Sequence, residues 1–265
     1  MPAFPKSVQK ILALTRDVNC SPKELVQVID KDPVVTIKVL RVVNSAYYGL
    51  PKKITSINHA VVFLGFNSIK NLALSIAAIG MLPVDNAAGF NGQKYLMHSL
   101  ATASVAKLLA VRVAAADPMD CFIAGLLHDF GKVVIAQFMP KKFRMALEAS
   151  QWNEIPLHLA LRQVVGVDHA VVGAMLVEKW RFAADLVETI RHQYNPELMD
   201  TPMVSCVYAA NLVSKKMEAG LAGPAPVPEL PPVVAARLGG SITEVIDWLG
   251  DLAPVLHEAR QFSKV

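Results

Sequence analysis

The chain is poor in cysteine, in charge of either sign and in any pattern that alternates like a β-strand. Its three cysteines, Cys20, Cys121 and Cys206, are far apart and odd in number. They make neither a zinc-finger spacing nor a disulfide framework, which fits a reducing compartment. Cys121 and Cys206 lie among apolar neighbours and are expected in the core as small hydrophobes. Charged residues are 18% of the 265 and the net charge is +4, too mild a basic excess to imply nucleic acid. The lysine pairs at 52–53, 141–142 and 215–216 are scattered and lack interleaved aromatics, as solvated surface does. The opening "MPAFPKSVQK" has no apolar core, so no secretion signal is expected. The oiliest run, residues 58–83, is interrupted by Asn67, Lys70 and Asn71, so no membrane span is expected. These absences point to the cytoplasm.

What remains is helical. "SPKELVQVIDKDP" opens with Ser21 as N-cap, Pro22 at the first helical position and Glu24 closing a capping box. Leu25, Val28 and Ile29 form an apolar stripe, and Val35, Val39, Val42 and Val43 repeat it after Asp32-Pro33. Gly49 and Pro51 end that second helix. Residues 56–79 read as two helices broken near 64–67, with Ser56 and Asn67 as caps. "GQKYLMHSLATASVAKLLAVRV" is one long helix whose alanines and serines let neighbouring backbones come close. Further helices are expected near 118–137, 141–150, 156–164, 168–180, 183–193 and 201–219. Residues 218–232, with five prolines, break the pattern and read as an exposed connection. Ser241 and Glu244 then form another capping box, followed by the apolar face Ile242, Val245, Ile246 and Leu249. That tail is too short for a core of its own and is expected to pack back. No alternating strand pattern with hairpin turns occurs, so the fold class is all-α.

"FIAGLLHDFGKVVIAQ", residues 122–137, sets His128-Asp129 inside an oily run. Of the seven histidines, His98, His128, His169 and His192 fall on separate expected helices, near an end or in an apolar face. Helices can aim side chains at one interior point, and imidazole with carboxylate suits zinc, iron or manganese. His59, His158 and His257 are expected to be hydrogen-bonded core residues instead. A buried Asp is rarely without a partner, so a cation, a histidine, Lys132 or backbone donors must satisfy Asp129. Three readings stand: a working phosphohydrolase centre, the remnant of one, or a buried polar pair with structural duties.

The segments "HSLATASVA", "AGLLHDFGKVV", "VVGVDHAVVGAMLVEKW" and "IRHQYNP", in that order, resemble the HD superfamily of metal-dependent phosphohydrolases. The N-terminal half, from "IDKDPVVTIKVLRVVNSAYYG" to "FNSIKNLAL", closely resembles the HDOD family, the HD-related output domain of bacterial signalling. The resemblance covers roughly residues 6–215. It implies an all-α fold in which an N-terminal helical subdomain (1–90) packs on an HD-like bundle (91–217). A Pro/Gly-rich connection (218–240) and a helical tail (241–265) then follow. It also implies that His98, His128, Asp129, His169 and His192 match the superfamily's metal ligands. Lys132 matches the lysine that holds substrate phosphate in the HD-GYP phosphodiesterases. Two departures count against a full binuclear centre: His192 is followed by Gln193 where those enzymes have a second histidine, and the closing aspartate falls at Asn211. Asn offers only a neutral carbonyl, and two-metal hydrolysis needs both ions clamped. One divalent ion (Fe, Mn or Zn) remains the expected cofactor, held by His98, His128, Asp129 and His169.

The expected function is therefore a signal-transduction output or scaffold module with a degenerate HD site, acting through binding of signalling proteins or of a nucleotide-like small ligand, its input arriving from a separate protein. The alternative is a metal-dependent phosphohydrolase acting on a nucleotide or cyclic nucleotide. "VVNSAYYGLPKKITSINHAV" is either an ordered turn, with Asn44 and Ser45 bonding local backbone, or a partner-facing surface carrying Tyr48 and Lys52.

Overall fold

The computed structural model describes residues 10–11, 13–14, 21–44, 52–79, 88–114, 116–219 and 228–257. Among the described residues there is no strand, so the all-α expectation is correct. The chain divides into two compact units, one formed by residues 1–82 with Trp180–Phe182, the other by residues 83–179 and 183–265.

In the first unit, α1 (Pro22–Asp30), α2 (Pro33–Val43), α3 (Ile57–Leu64) and α4 (Phe66–Ile79) pack on one another. The Ser21–Glu24 capping box forms as expected, and Asp32 caps α2 by accepting from the amides of Val34 and Val35. Leu25, Ile29, Val35, Val39, Val42 and Val43 are buried, the two valine and leucine stripes facing inward. Asn44 acts as a clamp: its Nδ2 donates to Leu40 O and Ile54 O, and its Oδ1 accepts from Ile54 N at 2.7 Å. The structural reading of Asn44 is thus correct; Ser45, Tyr48 and the rest of 45–51 lie outside the described residues. Ser56 caps α3, but Asn67 is no cap, because Gly65 at φ 84° turns the chain and α4 already begins at Phe66. A β-carbon is strained at that positive φ, so glycine sets the break one residue early.

The second unit is built on α5 (Gly92–Val113), a 22-residue helix against which α6 (Pro118–Leu127) and α12 (Pro202–Ala219) lie. The small residues of α5 permit the approach expected of them. A Cβ on Gly125 of α6 would sit 2.7 Å from Ala103 Cα, so only glycine fits that crossing. Cys121 and Cys206 are buried in this unit, and Cys20 lies outside the described residues. The single helix expected over 118–137 is two: α6 ends at Leu127, and α7 (Phe130–Phe138) starts after a break at His128-Asp129. Then come α8 (Pro140–Trp152), α9 (Leu157–Val165), α10 (His169–Lys179) and α11 (Ala184–Arg191).

The connection expected over 218–240 is shorter than its composition suggests. Pro232–Leu238 forms α13, with Pro232 at its start and Gly239 in a left-handed C-cap. Its prolines sit where a helix tolerates them, in the first turn. After it, α14 (Ile242–Leu249) opens with the Ser241–Glu244 capping box. Both pack back, α13 on α5 and α12, α14 on α12. Two segments outside 58–83, Gly92–Val113 and Pro118–Phe138, are long and apolar enough, by length and composition, to cross a membrane. Their windows are 67% and 78% buried against neighbouring helices in this fold.

Candidate metal centre

The break between α6 and α7 makes the centre. Asp129 occupies the N-cap position of α7, where an Asp side chain ordinarily accepts from the first-turn amides, as Asp32 and Asp117 do here. Asp129 makes no such bond. Its carboxylate turns into the second unit's interior, the side chain only 2% exposed.

Four side chains surround it. Lys132 Nζ donates to Asp129 Oδ2 at 2.5 Å, one helical turn along α7. On the same oxygen, His128 Nε2 lies 3.4 Å and His98 Nε2 3.7 Å away. His169 Nε2 lies 3.0 Å from the other oxygen, Oδ1. The rings of His98 and His128 have centroids 5.3 Å apart. The structure brings His98, His128, Lys132 and His169 together around Asp129.

Backbone packing fixes these positions. His169 begins α10, whose first turn is capped by Asp168 through Val171 N at 2.9 Å, with Arg162 on the other carboxylate oxygen. Helices α7 and α10 touch backbone to backbone: a Cβ on Gly131 would fall 1.9 Å from His169 O and 2.8 Å from Gly173 N. The glycine of "HDFGK" is therefore what lets His169 reach Asp129. His128 is oriented from behind, because its Nδ1 donates to Gly125 O at 2.6 Å. That bond leaves Nε2 facing Asp129 with its lone pair, the arrangement a metal-ligating histidine needs.

The electrostatics agree. Burial pushes His128 down to about 3, outweighing the attraction of Asp129, so its imidazole is neutral at pH 7. Burial, with the Lys132 charge, lowers His169 as well. Burial alone would raise Asp129, but the neighbouring imidazoles and Lys132 overcome it and hold the carboxyl well below its usual range. With His128 neutral, the lasting countercharge is the Lys132 ammonium.

His192 does not join them. It caps the end of α11, 3.3 Å from Glu188 Oε2, with its side chain a quarter exposed. Successive residues at a helix end diverge by about 100°, so only one of His192 and Gln193 can face inward. Gln193 does, donating to His128 O at 2.5 Å and Ile190 O at 3.1 Å. Asn211 is buried on α12, and its Oδ1 has no hydrogen-bond partner among the described residues. Two further residues line the centre: Gln193, expected only as the replacement of a second histidine, and Tyr194, which was not singled out. The Tyr194 hydroxyl is 2.8 Å from His169 Nε2, and its ring stacks on His158 at 4.0 Å. Burial, then the Asp129 charge, raises Tyr194 well above its usual range. The sequence signal for Tyr194 was its place inside "IRHQYNP". His158 is half-buried against Tyr194, whereas His59 and His257 are exposed, so neither is the core residue expected.

The donors fit one small ion. Ligand atoms of His98, His128 and Asp129 lie within 4.8 Å of one another. Around a tetrahedral ion with bonds near 2.1 Å, ligand atoms are roughly 3.4 Å apart, close to the spacings about Oδ2. With one carboxylate among them and His192 turned away, the described residues supply no second set.

Comparison with known proteins agrees with this fold. An HDOD domain protein of unknown function from Geobacter sulfurreducens superposes with a TM-score of 0.74 at 25% identity, over 99% of this chain and 93% of that one. A provisionally named phosphohydrolase from Shewanella amazonensis SB2B gives 0.75 at 21% identity, over 99% and 95%. An uncharacterized protein of Treponema pallidum (strain Nichols) is 27% identical over 237 residues; these are 87% of this chain but only 44% of that protein's length. The HDOD domain family matches residues 1–196. The chain belongs to the HDOD family.

Proposed function

We propose that the chain is a bacterial signal-transduction output module whose HD-like centre senses or binds rather than hydrolyses. One observation carries this reading: Asp129, the centre's single carboxylate among the described residues, is already neutralised by Lys132 at 2.5 Å. Two-metal phosphodiesterases bind two ions and use both to generate hydroxide and clamp phosphate. The outward turn of His192 and the Asn at 211 both run against that chemistry. The signalling partners are proteins, with a nucleotide-like small ligand as the second class. Apolar side chains on α2 and α3, Val34, Ile37, Val62 and Phe63, are more than half exposed and support a protein contact.

The alternative, a mononuclear phosphohydrolase using Fe, Mn or Zn, draws support from the three close donors His98, His128 and Asp129. Lys132 would contact phosphate there. Metal analysis and turnover of bis-p-nitrophenyl phosphate separate the two. The signalling reading expects no turnover above that of Asp129→Ala, with or without added metal. Metal-dependent turnover abolished by Asp129→Ala would establish the hydrolase. Co-purification from a bacterial lysate, with Lys52→Ala and Phe63→Ala as surface variants, tests the partner surface; capture unaffected by either variant would exclude it.

A further inference from the structure

Lys132 places its ammonium on the oxygen that a metal would take. Asp129 Oδ2 faces both His128 Nε2 and His98 Nε2, and the same atom accepts from Lys132 Nζ at 2.5 Å. The arrangement is intrahelical, three residues apart in the first turn of α7, so it forms with the helix itself. The two partners differ in burial: the carboxylate side chain is 2% exposed and the lysine side chain 20%. Asp129 cannot leave the interior, but the ammonium has a way out.

We infer that Lys132 is a tethered cation that competes with a divalent metal for Asp129, so the centre takes up metal only as that ammonium turns out to solvent. An ammonium has three donors and no lone pair, so in its charged form it cannot become a ligand. Nor can it stay beside a dication on one oxygen, since like charges at that range in a low-dielectric interior repel strongly. Metal affinity is then lowered by the fraction of time Lys132 spends on Asp129. Two discrete states follow, ammonium in without metal and ammonium out with it, and metal concentration selects between them. This rests on the sensing reading of the centre.

The test uses the full chain, stripped with chelator and titrated with MnCl2 or ZnCl2 by calorimetry and by thermal shift. Lys132→Met should lower the half-saturating metal concentration by about tenfold or more. Lys132→Arg, which keeps a cation, should stay near wild type. Should Lys132→Met not fold, Lys132→Gln keeps a donor on Oδ2 without the charge and carries the same expectation. Equal affinity in wild type and the uncharged variant would overturn the competition, as would failure of the uncharged variant to bind metal at all. Neither result touches the signalling reading, which falls instead to metal-dependent phosphodiester turnover by the wild-type chain.

Discussion

Gly131→Ala is the sharpest test of how the centre is assembled. In an open helix interior the exchange stabilises by about 1 kcal/mol through helix propensity. Here the new Cβ would lie 1.9 Å from His169 O and 2.8 Å from Gly173 N, both backbone atoms that no side-chain rotation can move. Restoring ordinary contact near 3.4 Å requires α7 and α10 to part by about 1.5 Å at their crossing. Overpacking of this kind costs about 3 kcal/mol, the upper part of its usual range. For a body of this size that lowers Tm by about 6–12 °C. Gly173→Ala is the internal control: its Cβ meets Gly131 N at 3.3 Å and Ile190 Cγ2 at 3.4 Å, so it should cost far less. Thermal unfolding followed by far-ultraviolet circular dichroism measures both. Because parting the helices also draws His169 from Asp129, Gly131→Ala should weaken any metal binding, while Gly173→Ala largely spares it. An unchanged or raised Tm for Gly131→Ala would refute the close crossing and the account of how His169 is placed.

Further tests probe the charges and the donor set. Removing one partner of the Asp129–Lys132 pair should be asymmetric: Lys132→Met strands a buried carboxylate and costs about 3 kcal/mol or more, whereas Asp129→Asn leaves a lysine that can reach solvent and costs less by urea unfolding. Gln193→Leu strips His128 O and Ile190 O of a donor and should cost about 1–3 kcal/mol; a neutral result in the same assay would refute its role as a brace. His128 sits near 3 in the fold against an ordinary 6.5. The unfolded chain therefore binds the extra proton first, and stability should decline as pH falls below about 6.5, by roughly 1 kcal/mol per pH unit; His128→Gln should flatten that decline in a pH series of urea melts. By metal analysis, His192→Ala should leave occupancy unchanged while His98→Ala abolishes it, and Asn211→Asp should raise it; equal losses at 192 and 98 would contradict the outward placement of His192.

Local chemistry was enough for much of this. Both capping boxes, at Ser21–Glu24 and Ser241–Glu244, depend on residues three apart, and each formed as its spacing requires. The valine stripe of α2 and the small-residue face of α5 likewise follow from helical periodicity. The misses lie where periodicity carries no information. A continuous apolar run hid the break at His128-Asp129, since both flanking helices are buried. Asn67 looked like a cap because the positive φ of Gly65 cannot be seen in composition. Proline content concealed α13, because prolines in a first turn do not oppose a helix.

The amino-acid sequence by itself determined an all-helical chain, its main caps and a shortlist of histidines around one aspartate, because these depend on neighbours within a few turns. Tertiary structure alone decided which members of that shortlist meet. The backbone contact at Gly131 delivers His169 to Asp129, the end of α11 sends Gln193 inward and His192 outward, and burial makes the Lys132 ammonium the carboxylate's partner. Those outcomes depend on where helices cross and stop in space, and on what a low-dielectric interior demands of a charge.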